Sequence, residues 1–188
     1  MRIRYGLIPI ALLAGAVAWQ TPATAAHHAK HGASTKGALS DSTFVTKATQ
    51  DGMAEVAIGK VAAERAQSAD VKQFAQRMVD DHQKANDELK SLAAQEKIKV
   101  PSDMSKDQKA MQSRLEKLSG ADFDKTYMRE MVKDHENAVS MFEQYAKSGH
   151  NQQLKDWASK TLDTLKQHEQ QAKETARQIG VKVASSGQ

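Results

Sequence analysis

The sequence predicts an all-α protein: a ferritin-like four-helix bundle of two helical hairpins, joined by a crossover that contains a short extra helix. Three observations predict it. From Thr43 onward apolar residues recur at three- and four-residue steps, the period of a helix with one buried face. The 188 residues include only three Pro and are 5 % aromatic, too sparse for a sandwich or barrel of many short strands. A segment also repeats: Val71-Lys72-Gln73-Phe74-Ala75 is echoed by Leu154-Lys155-Asp156-Trp157-Ala158, each just after a turn.

The first 25 residues read as an address rather than as part of the fold. Arg2 and Arg4 form a positive start, and an apolar run of about 13 residues follows from Leu7 to Trp19. A spanning helix needs about 20 residues. Ala23-Thr24-Ala25 supplies an A-x-A cleavage pattern, so residues 1–25 are expected to be a secretory signal, cleaved to leave no integral membrane span. Cleavage removes two Arg and no acid, which lowers the formal charge from +4 to about +2. That is too little for a nucleic-acid partner, which needs a concentrated basic face. Residues 26–42 lack apolar periodicity and are rich in Gly, Ser and Ala. They are expected to be a disordered lead-in, with His27, His28 and His31 on a solvated linker and loose capture of a transition metal as the alternative.

The bundle domain is expected over residues 43–180. Helix one runs from about Thr43 to Ala66, with Phe44, Ala48, Gly52, Ile58 and Ala62 near its inner stripe. Ser68 suits an N-cap for helix two, about Ala69 to Glu96. Its stripe is Val71, Ala75, Met78, His82, Ala85, Leu89 and Leu92. Pro101 breaks the pattern, and a short helix follows from about Asp107 to Leu118. Ser119 with Asp122 opens helix four, about Ala121 to Lys147. Phe123, Tyr127, Met131, His135, Ala138, Phe142 and Tyr145 form its inner face. Gly149 suits a left-handed C-cap, and helix five runs from about Asn151 to Ile179. Leu154, Ala158, Thr161, Leu165, His168, Ala172 and Ile179 lie on its stripe. Gly180 closes it, and residues 181–188 should fray. Helices of about 25 residues are nearly 40 Å long at about 1.5 Å per residue. The connector is long enough to run back along that length, as in one-crossover bundles.

Polar side chains interrupt four apolar stripes. Glu55, His82, His135 and His168 each take an inward position on a different long helix. Burying them unpaired is costly. A cation would satisfy them, and imidazoles with a carboxylate suit zinc or copper better than a pair of irons. His168 stands about one helical turn farther from its turn than the others do, which leaves Asp163 as the rival fourth group. Asp81 and Asp134 precede two of the His and either brace a ligand or face water. Met78 and Met131, four residues before His82 and His135, read as core filler, with Cu(I) ligation as the alternative.

Several chemistries are excluded, and di-iron chemistry loses most of its support. With no Cys there is no disulfide framework, thiolate zinc site or thiol nucleophile. No Gly-x-Ser-x-Gly turn or phosphate-cradling Gly loop occurs. Di-iron bundles use Glu-x-x-His, but Val79, Val132 and Leu165 stand three residues before the inward His.

Phe74-x-x-x-Met78-Val79-x-Asp81-His82, its echo Tyr127-x-x-x-Met131-Val132-x-Asp134-His135, and Phe123-Asp124-x-x-Tyr127 resemble a bacterial family, domain of unknown function 4142. The likeness covers about Thr43 to Ile179. It implies a ferritin-like bundle in an exported protein, with an outer-membrane label on some members, and brings no activity. The expected function is therefore binding of one transition-metal ion through Glu55, His82, His135 and His168, in periplasmic metal handling or envelope stress tolerance. The alternative is a non-enzymatic envelope interaction protein with a metal-free polar core. A di-iron redox enzyme comes third.

Overall fold

The computed structural model describes residues 39–183; the expected signal and all of the lead-in but 39–42 lie outside them, as do residues 184–188. The described residues form five helices and no strand: α1 (Asp41–Arg65), α2 (Ala69–Gln95), α3 (Lys106–Leu115), α4 (Gly120–Ser148) and α5 (Gln152–Gln178). α1 packs on α2 and α4 on α5 as two hairpins, while α2 also meets α5 and α1 meets α4. α1 starts at Asp41, so the last two residues assigned to the lead-in are helical. Ser40 caps it, its hydroxyl accepting from the Thr43 N–H at 3.2 Å.

Two aspartates hold the hairpins together, each from the start of one hairpin to the turn of the other. Asp124, near the start of α4, accepts from the backbone N–H groups of Gln67 (2.9 Å) and Ser68 (2.7 Å). Asp41, at the start of α1, accepts from the Tyr145 hydroxyl at 2.5 Å and from His150 N–H at 3.2 Å. α2 and α4 therefore begin at the same end of the bundle. The connector must travel its full length, the ferritin-like crossover. α3 lies in that crossover against α1, where Gln108 donates to Asp51 at 2.7 Å. Ser105 and Gln108 close a capping box at its start.

Local expectations needed correction in three places. Gly149 is extended (φ −60°, ψ 156°) rather than left-handed. A Cβ there would stand 2.8 Å from the Tyr145 carbonyl and 2.7 Å from its ring, so close approach is what requires glycine. Neither Ser68 nor Ser119 makes a side-chain cap; Asp124 takes that role at the first turn. Val181 is buried against the core, so fraying does not begin at 181; Gly180 does end α5 with φ 77°.

The core is two apolar clusters, one at each end. Phe74, Met78, Phe123, Tyr127, Met131 and Ala176 belong to the cluster by the first turn; Phe44, Leu89, Phe142, Tyr145 and Leu154 belong to the other. Met78 and Met131 thus pack as core side chains. α1 approaches α2 closely at Gly59, where a Cβ would meet Val79 Cγ2 at 2.9 Å and the Ala75 carbonyl at 3.2 Å. The buried polar groups fall between the two clusters: on α2 His82 lies between Met78 and Leu89, on α4 His135 between Met131 and Phe142.

Candidate metal centre

Three of the four inward residues converge. His82, His135 and His168 each offer a ligand nitrogen, and these nitrogens lie within 4.8 Å of one another. The ring centroids are 5.4 to 5.7 Å apart. All three are sequestered: His82 is 9 % exposed, His135 and His168 1 % each. His168 joins the other two despite the extra turn before it, and Asp163, the rival fourth group, is exposed.

Two of the rings are held by their second nitrogen. His135 Nδ1 lies 2.9 Å from the Met131 carbonyl, which can only accept, so Nδ1 carries the proton and Nε2 keeps its lone pair. His168 Nε2 lies 2.8 Å from Asp81 Oδ2 and donates to it, which leaves the lone pair on Nδ1. Among the described residues, His82 Nε2, His135 Nε2 and His168 Nδ1 are buried without a hydrogen-bond partner. A carboxylate or carbonyl behind a ligand imidazole is the usual outer support of a metal-binding histidine, because it fixes the ring and raises its basicity.

The electrostatics keep the rings neutral. Burial, with the neighbouring His135 and His168, pushes the His82 pKa well down. Burial and the His168 charge lower His135 to about 4. His168 is lowered by burial, against the opposing pull of Asp81. Burial raises Asp81 in isolation, but the His168 and Arg77 interactions outweigh it and hold the carboxyl below its usual range. Neutral imidazole is the ligand form.

Glu55, the fourth predicted residue, does not join this group of donors. It is 7 % exposed, and its Oε2 has no partner. It lines a cavity of about 270 Å³ that also reaches His82 and His135, walled by Asp51 of α1, Gln108 and Met111 of α3, and Glu130 and Asp134 of α4. Burial, then Asp134 and Asp51, push the Glu55 carboxyl well above its usual range. Burial, then Glu130 and Asp51, raise Asp134 to about 6.

Sequence reasoning left the role of Asp81 open and named only His82 as its neighbour. Asp81 is one residue before His82, about 100° around the helix, and that rotation aims it across the groove to α5. Arg77, one turn earlier, holds it at 3.3 Å and also reaches Gln171 of α5 at 2.8 Å.

The chain belongs to the family described as Domain of unknown function (DUF4142), whose profile matches residues 25–175. No curated protein matches it. Solved structures share its fold. A DUF305 protein from Streptomyces coelicolor is 15 % identical with a TM-score of 0.64, over 75 % of this chain and 94 % of that one. A DUF305 fragment from Deinococcus radiodurans is 14 % identical with a TM-score of 0.65, over 73 % of this chain and 95 % of that one. CopM in its Cu(II)-bound form is 18 % identical with a TM-score of 0.64, over 75 % of this chain and 98 % of that one. At these identities the likeness is one of fold. Among the described residues no helix is long and apolar enough to cross a membrane.

Proposed function

We propose that this DUF4142 protein binds one transition-metal ion on His82, His135 and His168 and serves metal handling in the cell envelope. One observation carries the reading: three buried histidines each offer a ligand nitrogen within 4.8 Å of the others, each ring has one buried nitrogen without a hydrogen-bond partner, and two of the rings are fixed from behind. A metal-free polar core gives these three buried acceptors no protein partner, and a buried acceptor left unmet costs about 1–3 kcal/mol. Tetrahedral nitrogens about 2.0 Å from an ion stand a little over 3 Å apart, so modest closure of the rings completes the site.

The donor set favours zinc or copper. Three imidazoles with one open position suit either ion, whereas a di-iron site needs bridging carboxylates that the trio lacks. CopM, of the same fold, has been captured with Cu(II). The likeness is of fold alone, so the choice of metal for this chain rests on its own histidines. With no nucleophile or oxygen-activating ligand motif, binding rather than catalysis is the role that fits. Delivery to the periplasm is the part of this reading that rests on residues 1–25 and their signal-like pattern.

Elemental analysis of metal-loaded protein tests the reading. One zinc or copper per chain, lost in His82→Ala and His135→Ala, is the expected result. Sub-stoichiometric metal with an unchanged melting temperature sinks it, since an ion held by the native state alone must stabilise that state.

A further inference from the structure

The cavity beside the histidines is lined by carboxylates that the trio does not use. Glu55 lines it, 7 % exposed, with Oε2 unpaired. Asp51 and Asp134 line the same space. One Asp51 oxygen accepts from Gln108, and Glu130 is already paired with Arg114 at 2.8 Å. Among the described residues no cation is paired with Glu55 or Asp134; Lys133 reaches the wall from α4 but is exposed. Four carboxylates, Asp51, Glu55, Asp107 and Asp134, thus line one pocket without an ion pair among the described residues, and the buried one, Glu55, has an Oε2 with no hydrogen-bond partner.

We propose that this cavity is a second cation site, of oxygen donors, in which Glu55, Asp51 and Asp134 hold a hydrated divalent ion such as Mn²⁺. Carboxylate and water ligands suit Mg²⁺, Ca²⁺ and Mn²⁺, and those ions retain part of their water shell. A space of about 270 Å³ accommodates it, since each water occupies about 30 Å³. The site lies on the α1, α3 and α4 side of His82 and His135. His168 does not line it; its ring faces the groove that holds Asp81, Asn86 and Trp157. The crossover helix α3 gives the cavity its outer wall through Asp107, Gln108 and Met111. The long connector therefore completes a binding site as well as reversing the chain.

The two sites are separated by substitution together with zinc preloading of wild type, because His82 and His135 also line the cavity. His168→Ala breaks the histidine trio and leaves the carboxylate cavity intact. In that background, Mn²⁺ titration of the full chain at pH 7.5, followed by loss of the six-line electron paramagnetic resonance signal of free Mn²⁺, should show one bound ion. Adding Glu55→Gln should weaken binding at least tenfold, and Asp134→Asn, at the exposed rim, about threefold. Circular dichroism melting identifies any variant that does not fold; if His168→Ala fails, wild type preloaded with one equivalent of Zn²⁺ replaces it. Free Mn²⁺ throughout the titration overturns the proposal and leaves Glu55 a protonated carboxyl. Equal binding with and without Glu55→Gln overturns it too. Neither result bears on the trio, whose loss is read separately in the zinc or copper content of His168→Ala.

Discussion

The dipeptide Asp-His occurs twice, at Asp81-His82 and Asp134-His135, on equivalent stripes of the two hairpins, and the two aspartates do opposite things. Asp81 crosses to the other hairpin, binds His168 Nε2 at 2.8 Å and is itself held by Arg77. Asp134 stays at the rim of the acidic cavity, among Glu55, Asp51 and Glu130. One carboxyl is held below its usual range by its hydrogen bonds from His168 and Arg77; the other is raised to about 6 by burial and acidic neighbours. The lesson is that a repeated motif repeats its backbone placement, not its electrostatics. The neighbour facing each copy decides those, and α5 offers Asp81 a histidine where α1 offers Asp134 only acids.

The largest effect should come from breaking one group on each face. Loading the intact protein with zinc or copper well above its Kd should raise Tm by about 10 °C, since an ion at about a thousand times Kd adds about 4 kcal/mol. His168→Ala should abolish that rise, and Glu55→Gln should leave it nearly whole, because Glu55 lies outside the trio. Loss of the rise in Glu55→Gln would restore Glu55 as the fourth ligand that the sequence suggests.

Acid should distinguish the faces next. In the metal-free protein His135 is held down at about 4, against 6.5 when unfolded. Its share of stability is complete above about pH 6.5 and disappears as the pH falls through 4. For one such group that is about 3 kcal/mol. Glu55 and Asp134 are raised instead, so their unfavourable contributions are relieved as the pH falls through their raised pKa values, about 6 for Asp134. The melting temperature of metal-free wild type should fall between pH 6.5 and 4.5, and more steeply in Glu55→Gln, where the opposing contribution is gone. A steeper fall in wild type would overturn this assignment of signs.

Replacing the two aspartates compares the faces directly. Asp81→Asn removes the carboxylate behind His168 and should weaken zinc or copper about 10- to 100-fold, the usual effect of losing such a support. Asp134→Asn should change it less than about threefold. Isothermal titration calorimetry of the two variants side by side decides this, and equal losses would mean that Asp81 is no brace.

Much of this was legible in the sequence, and the losses have a common cause. Period, turns and the repeat located the long helices, and one inward imidazole on each of α2, α4 and α5 was visible from the stripes alone. Within one helix, position on a face follows from a rotation of about 100° per residue. What faces that position from the other hairpin depends on how α2 settles against α5, and no local pattern encodes it. So Asp81 could be placed beside His82 but not against His168. Asp124 stood in a noticed motif, yet its hold on the Gln67–Ser68 turn needed the crossover to bring α4 back to that end. Glu55 is buried, as its stripe position suggests, but it is not among the grouped donors: facing the core does not say which side of the histidines a carboxylate occupies. Gly149 was chosen for its freedom of φ, when the crowding of Tyr145 is what demands it.

The smallest effect is also the most specific to the comparison. Asp134 has a folded pKa above its unfolded value of 3.8, so its ionised form is less favourable in the fold than in the unfolded chain. Stability is therefore lost as the pH rises from 3.8 through about 6, and removing the charge should recover it. Because Asp134 is exposed at the rim, solvent screens most of this, and the gain should be under about 1 kcal/mol. Asp134→Asn should thus raise Tm of the metal-free protein by about 2 °C at pH 7.5 and leave it unchanged near pH 4. Asp81→Asn should do the reverse, lowering Tm at pH 7.5, because its carboxyl is held down by partners it would lose. With millimolar Mn²⁺ present the Asp134→Asn gain should vanish or change sign, since an ion in the cavity turns a repelled carboxylate into a ligand. A gain that persists unaltered in Mn²⁺ would mean that the acidic face merely tolerates its charges and holds no cation with them.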